Sequence, residues 1–387
     1  MMNKKVKIVY CTPSIYIAGG IERVLTTKVN YLANQDDKYE ITIILTDGYG
    51  KEPFYPLSDK VKIINLNIGF EELWGMSFTK KVFAYLTKQR RFKRLLKEEL
   101  MRIRPDICVS TLRREINFIC DIPDGSKKIG ELHVNRQNYR NFESNDTNIV
   151  KHLFSKWWMH RLVCQLKRLD KFVVLTEQDK QSWTELHNVC VIPNPLPSIP
   201  QTISQLNNKR VIAVGRYTYQ KGFDLLLQAW SIVEKECPDW QLAIYGPGER
   251  SSYSKQMLEL KINDTRCELY SAVENIGKEY VNSSIFVFSS RFEGFGMVLL
   301  EAMSHGLAAV SFDCPCGPKD IIDNGKDGVL VENGNVKQLA EGIIHLIKDK
   351  EKRESLARFA REKARQYDIS IIGQQWEQLF TSVLSVH

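Results

Sequence analysis

Short apolar runs alternate with longer segments of helical period along this chain. Lys7-Ile8-Val9-Tyr10-Cys11 is apolar at successive positions after its lysine, so both of its faces need cover, and it reads as a central parallel strand. A helical pattern follows Ala18-Gly19-Gly20 and runs through Ala33, and Tyr39 to Leu45 forms the next strand. Lys127 to Asn135 reads as a strand that ends in His133. The alternation continues to about residue 195 and resumes with a strand over Arg210-Val211-Ile212-Ala213-Val214. Beyond it come a helix to about Glu236 and strands at Gln241–Tyr245, Cys267–Ser271 and Ile285–Phe288. Strand and helix in strict turn predict an α/β protein of doubly wound parallel sheets.

One stretch breaks the pattern. Four prolines fall between Pro193 and Pro200, and the chain on to Lys209 is polar and without period, so it reads as a linker. It predicts a first domain over 1–195, a second over 196–366 and a closing helix over 367–387. The length of 387 residues suits two domains of ordinary size.

The sharpest local signal lies where the strand Ile285–Phe288 meets a helix through Ser289-Ser290-Arg291-Phe292-Glu293-Gly294-Phe295-Gly296-Met297-Val298. Small residues at such a junction leave backbone N–H groups aimed at one point, with the helix dipole behind them. That is an anion site suited to phosphate. Glu293 and Glu301 flank it eight residues apart, Glu301 about two turns along the helix. Carboxylates beside a phosphate cradle suit a nucleotide joined to a sugar. On spacing alone, Glu293 could equally be a dipole-favoured charge and Glu301 a solvated helix residue.

Other candidates gather at strand ends. Gly19 and Gly20 follow the first strand, where glycine lets a ligand approach the backbone. Arg216 and Lys221, five residues apart after a strand, can neutralise a diphosphate, or can be loop charges. Gly246-Pro247-Gly248 forms a turn after the next strand. His133, at a strand's carboxyl end, faces the crevice of an open α/β sheet, although such a histidine is more often structural.

Charge is uneven. The net is +8, yet residues 1–200 carry 32 basic and 22 acidic side chains, so the excess lies in the first half. Thr79–Arg104 holds ten Lys or Arg against two Glu, interleaved with Val82, Phe83, Tyr85, Leu86 and Phe92. Lys151–Lys171 holds six basic residues against one acid, with Trp157, Trp158 and Met159. Basic amphipathic helices with aromatic residues suit anionic lipid, and a core stripe with a solvated basic face is the plain alternative. No nucleic-acid motif accompanies the charge, so no nucleic-acid partner is expected. No apolar run approaches the roughly 18 residues of a membrane span, and the start of the chain lacks a signal-peptide core. Nine scattered cysteines lack zinc spacing and fit a reducing cytoplasm.

The string Ser-x-x-Glu-Gly-Phe-Gly, with Glu-x7-Glu and Leu-Glu-Ala-Met-Ser-His-Gly, resembles the nucleotide-sugar motif of the family 4 retaining glycosyltransferases. Gly-Arg-x4-Lys-Gly at 215–222, Ile-Pro-Asn at 192–194 and the loop 314–331 resemble the same family. Ser271 stands where the family usually has glycine, and Ala308 where it commonly has proline. The resemblance implies the GT-B fold, two Rossmann-like domains facing each other across a cleft. It implies that Arg216, Lys221 and the N–H groups at Gly296, Met297 and Val298 hold the leaving diphosphate. Glu301 would hold ribose, Glu293 and His133 the donor sugar, and Gly19, Gly20, Gly246, Gly248 and Val273 the rest of the nucleotide sugar. It implies transfer of a hexose or N-acetylhexosamine, most often from a UDP-sugar, with retention by same-face attack. The chain contains no Asp-x-Asp, so no metal or other cofactor is expected. The acceptor expected is a glycan, lipid-carrier-linked as in capsule, exopolysaccharide or lipopolysaccharide assembly, at the inner membrane face. A UDP-sugar epimerase of the same fold and a non-catalytic membrane-binding module are the rival readings.

Overall fold

The computed structural model describes residues 4–35, 38–139 and 149–385, with the side chains of residue 78 and residues 149–155 left undescribed. Within the sequence readings above, residues 1–3 and the first side chains of the 151–171 basic segment therefore lie outside the described residues. The chain divides into two compact units, one of residues 1–195 with 369–387 and one of residues 196–368.

Seven parallel strands form the sheet of the first unit: β1 (Val6–Thr12), β2 (Tyr39–Leu45), β3 (Lys62–Asn65), β4 (Ile107–Ser110), β5 (Lys127–Glu131), β6 (Lys171–Val174) and β7 (Val189–Val191). Their spatial order is β3-β2-β1-β4-β5-β6-β7. Helices α1 (Gly20–Ala33), α2 (Phe78–Ile103), α3 (Ile149–Leu166) and α4 (Glu177–Ser182) connect them. The apolar run of β1 is continuous because helices cover both faces. Ile8 and Tyr10 join Leu25, Val29 and Leu32 of α1, together with Trp376 and Phe380 of the closing helix Ile369–Ser385. Val9 and Cys11 point the other way, toward Phe92, Leu96 and Leu100 of α2 and Leu166 of α3. That alternation is the two-residue period of a strand.

The second unit repeats the plan with six parallel strands: β8 (Arg210–Val214), β9 (Gln241–Tyr245), β10 (Cys267–Tyr270), β11 (Ile285–Phe288), β12 (Ala308–Phe312) and β13 (Val329–Val331), ordered β10-β9-β8-β11-β12-β13. Its helices are α5 (Phe223–Glu236), α6 (Ser251–Glu259), α7 (Ile276–Val281), α8 (Met297–Ser304), α9 (Pro318–Ile321), α10 (Val336–Lys348) and α11 (Lys350–Arg365). Leu226, Leu227, Trp230 and Val233 of α5 and Leu339, Ile343 and Leu346 of α10 are buried.

Three local expectations shift. β5 ends at Glu131, two residues before His133, although Leu132 N–H still donates to the Val173 carbonyl at 2.9 Å. α8 begins at Met297, so Glu301 lies one turn into it rather than two, and it is buried. The proline-rich stretch is not loose after Pro195: Leu196 N–H donates to the Tyr367 carbonyl at 2.7 Å, and Ser204 N–H to that of His305 at 2.9 Å. No described helix is long and apolar enough to cross a membrane.

Candidate active site

The strand order of the second unit reverses between β8 and β11, and ligands of open α/β sheets bind beyond the carboxyl ends of strands at such a reversal. The loops that leave those two ends carry Arg216–Gly222 and Ser289–Gly296. Polar contacts stitch them together. Arg291 N–H donates to the Gln220 carbonyl at 2.8 Å, and Ser289 Oγ donates to the Lys221 carbonyl at 2.9 Å. The Arg291 guanidinium grips Asp224 through two bonds of 2.7 and 2.6 Å. Each partner holds the other in its charged form: hydrogen bonding to Asp224 raises the Arg291 pKa, and Arg291 outweighs burial in lowering that of Asp224. Gly222 has a left-handed φ of 62°, and a Cβ there would stand 2.1 Å from the Ser289 carbonyl oxygen. Only glycine allows the two loops to lie so close.

This stitching brings Lys221 Nζ to 2.7 Å from Glu293 Oε1. Both side chains are nearly out of solvent, at 13% and 8% exposure. Gln220 Nε2 donates to the Phe292 carbonyl at 3.1 Å and leans on Glu293 Oε2 at 3.4 Å. From the far side, Glu293 N–H donates to the Pro315 carbonyl at 3.1 Å. Burial, and next the Glu293 charge, raise the pKa of the Cys314 thiol beside it, so that cysteine stays protonated.

The other predicted residues frame this pair. The Lys221 stem lies over Gly215, where a Cβ would stand 3.0 Å from its Cγ and Cδ. Arg216 follows directly and is exposed, with no ion pair found for it among the described residues. A Cβ on Gly246 would fall 1.7 Å from the Gly215 carbonyl oxygen, so the ends of β8 and β9 close to backbone distance. Gly248 sits at φ 124° against Tyr217. Gly296, at φ 103°, turns the chain into α8, whose first N–H groups belong to Met297 and Val298. Val273 lies beyond β10 at the sheet edge and is 42% exposed.

Gly19, Gly20 and His133 belong to the first unit. His133 has a 4% exposed side chain, and neither ring nitrogen has a hydrogen-bond partner. Its Nε2 stands 3.4 Å from Glu131 Oε1. Burial drives the imidazole down to about 4, against the pull of Glu131, so it is neutral near pH 7. Glu131 is itself salt-bridged to Lys28, and both side chains are almost fully buried. Burial alone would raise the Glu131 carboxyl, but Lys28 pulls it below its ordinary value. The Lys28 ammonium also lies 3.9 Å from the centroid of the Trp376 ring. The sequence reading missed Gln220, Asp224, Arg291, Lys28 and Glu131. Lys28 had a signal: it shares the α1 face of Val24, Leu25 and Leu32, where an unpaired lysine would not be tolerated.

Comparisons with known proteins place the chain among glycosyltransferases. Residues 198–363 match the family described as glycosyl transferases group 1. The chain is 27% identical over 392 residues to the amylovoran biosynthesis glycosyltransferase AmsD of Erwinia amylovora, an alignment that covers 96% of this chain and 99% of that protein. It is 25% identical over 379 residues to the GalNAc-alpha-(1->4)-GalNAc-alpha-(1->3)-diNAcBac-PP-undecaprenol alpha-1,4-N-acetyl-D-galactosaminyltransferase of Campylobacter jejuni, covering 95% of this chain and 96% of that one. Among solved structures it is similar to a mutant of S. aureus TarM in complex with fondaparinux, alpha-GlcNAc-glycerol and UDP. The TM-score is 0.74 at 16% identity, covering 97% of this chain and 100% of that one. The fold is GT-B, with two Rossmann-like domains, and the chain is a glycosyltransferase.

Proposed function

We propose that this chain moves a hexose or N-acetylhexosamine, with retention, from a UDP-sugar to a lipid-carrier-linked glycan in bacterial surface-polysaccharide assembly. The observation that carries the reading is the Lys221–Glu293 pair beside Gly296 and the amino end of α8. When the sugar leaves, negative charge develops on the diphosphate. Arg216, Lys221 and the N–H groups of Met297 and Val298 stabilise that charge electrostatically. Before donor arrives, Glu293 keeps Lys221 neutralised. With donor bound, Lys221 turns to the diphosphate and Glu293 is released to the sugar hydroxyls. Glu301 is assigned the ribose hydroxyls and His133 a sugar hydroxyl. Fixed cations and backbone dipoles take the place of a metal.

The UDP preference and the lipid-linked acceptor draw support from the ligand named with the TarM complex and from the undecaprenol-linked substrate named for the Campylobacter relative. Contact with anionic membrane draws support from α2, where Phe83 is 76% exposed among basic neighbours. Trp157 is also exposed, whereas Trp158 is half-buried and stacks on Tyr139.

The test incubates the protein with a panel of UDP-, GDP- and ADP-sugars, with and without lipid-diphosphate-linked glycan, and with a chelator present. The reading expects a UDP-sugar to be consumed only with acceptor, chelator or not. Consumption of donor alone, with an isomeric sugar released, would indicate an epimerase. No turnover of any donor in either condition would defeat the reading.

A further inference from the structure

Away from the donor loops, the second unit carries a groove of about 410 Å³. Lys209 stands just before β8, and Asp239 and Trp240 just before β9, so the groove lies at the amino edge of the sheet. Arg216 and Glu293 leave the opposite, carboxyl edge. Helix α5 contributes Glu236 from its last position, and the junction of α10 with α11 contributes Ile347, Lys348 and Lys350. The volume is that of a site for a small molecule.

Part of the lining is apolar and firmly held. Leu206 and Trp240 are buried there. Leu206 adopts φ 57°, a left-handed conformation that is uncommon for leucine and concentrates at ligand sites. Its N–H donates to Ser204 Oγ at 3.0 Å, and that hydroxyl donates to the Ser283 carbonyl.

Arg353 also lines the groove and is only 5% exposed. Its guanidinium carbon lies 5.5 Å from the centroid of the Trp240 ring. One terminal nitrogen donates to the Leu346 and Ile347 carbonyls at 2.6 and 3.2 Å, closing the last turn of α10. Those bonds leave the charge unanswered. The buried Nε has no hydrogen-bond partner, and no ion pair is found for Arg353 among the described residues. The acids next to it in sequence are engaged elsewhere. Asp349 Oδ1 accepts from Lys352 N–H at 2.8 Å, and Glu354 pairs with Lys350 at 3.6 Å. The two carboxylates of the lining are engaged as well, Glu236 by Lys348 at 2.6 Å and Asp239 by Lys209. Buried charges are ordinarily paired, because an uncompensated one is costly. Arg353 moreover sits near the start of α11, the helix end whose dipole favours negative charge.

We propose that this groove binds a small organic phosphate monoester, with the phosphate against Arg353 and Lys350 and the organic part over Leu206, Trp240 and Ile347. Four cations meet two carboxylates in the lining, and a phosphate monoester brings close to two negative charges at pH 7. A monocarboxylate would leave half of that excess uncompensated. Guanidinium and ammonium groups both suit phosphate oxygens. The source is either a sugar phosphate or a nucleoside monophosphate. The site is separate from the donor cradle, and neither assignment depends on the other.

The test uses the full chain and three probes: glucose 6-phosphate, adenosine monophosphate and inorganic phosphate. Calorimetric titration is run on the wild type, Arg353→Met, Lys350→Glu and Lys337→Glu, with UDP titrated in parallel. Lys337 lies on the exposed side of α10 outside the groove, so its reversal controls for net charge alone. The wild type is expected to bind one organic phosphate at one site per chain, at least about tenfold more tightly than inorganic phosphate, as contact with the apolar lining adds to the charge. The ranking of the two organic probes identifies the source. Arg353→Met and Lys350→Glu should each weaken that probe by about tenfold or more, the scale of one charge-assisted contact, and leave UDP binding unchanged. Lys350 is exposed, so its variant folds even where loss of the α10 cap unfolds Arg353→Met. No organic phosphate bound at millimolar concentration, inorganic phosphate bound as tightly, an undiminished affinity in Lys350→Glu, or an equal loss in Lys337→Glu would each overturn the site. Failure of the wild type to bind UDP would overturn the donor reading and leave the groove standing.

Discussion

Lys221 Nζ and Glu293 Oε1 stand 2.7 Å apart although 72 residues separate them in the chain. Each is the reason the other can be buried. Replacing Lys221 with Met strands a carboxylate that is only 8% exposed, at a cost of about 3 kcal/mol. The double variant Lys221→Met/Glu293→Gln should recover at least about 1 kcal/mol of the summed losses, because neighbours in one ion pair couple. Urea denaturation of the four proteins measures this. Additive losses would show that the pair is not formed in solution. Lys221→Met should also lower kcat/KM by about 100-fold or more, as loss of a diphosphate-stabilising group does.

Arg291 acts one step back, through its two bonds to Asp224. These tie the Glu293 loop to the first turn of α5, directly after Lys221. Arg291→Ala should raise the donor KM by about tenfold and cost about 2 kcal/mol, the scale of hydrogen bonds to charged groups. Arg291→Lys should rescue the stability only in part, since an ammonium cannot reproduce the fork. Steady-state kinetics against donor concentration checks this. An unchanged KM in Arg291→Ala would remove Arg291 from the positioning of the site.

His133 gives the protein a pH dependence of definite sign. Burial lowers its pKa to about 4, while an unfolded chain titrates near 6.5. Between those values the unfolded state binds one more proton than the folded state, so stability rises with pH. It is complete above about 6.5 and falls by about 1.4 kcal/mol per pH unit as pH drops toward 4. Glu131 titrates below most of that window. Denaturation of the wild type and of His133→Gln at pH 7, 6 and 5 should show the slope lost in the variant. Parallel profiles would place the imidazole in solvent.

The basic face of α2 predicts selective attachment to anionic vesicles. In flotation, vesicles with about one-third phosphatidylglycerol should retain the protein at low salt and release it at high salt. Phe83→Ser should weaken retention without affecting UDP binding. Equal retention by neutral vesicles would contradict a charge-driven contact.

Much of this was legible in sequence because parallel strands covered on both faces leave continuous apolar runs. β1, β2, β8, β9 and β11 announce themselves so. The Lys221–Glu293 pair could be anticipated only through a resemblance, since no spacing rule joins residues 72 apart. Strand order decided which loops meet, and strand order is a long-range property. The Arg291–Asp224 clamp stayed hidden because loop charges are usually solvated. The Lys28–Glu131 pair stayed hidden because its two members sit 103 residues apart. His133 was placed at a strand end from its neighbours, and the strand stops two residues earlier, with the histidine buried in the loop beyond.

Calorimetric titration of UDP into the wild type and into Arg216→Ala/Lys221→Ala tests the donor site most directly. The account predicts saturable binding at one site per chain by the wild type, and binding weakened by about 100-fold or more in the double variant, as two lost charge-assisted contacts require. Equal affinity in both proteins, or no heat from the wild type at millimolar UDP, would contradict it.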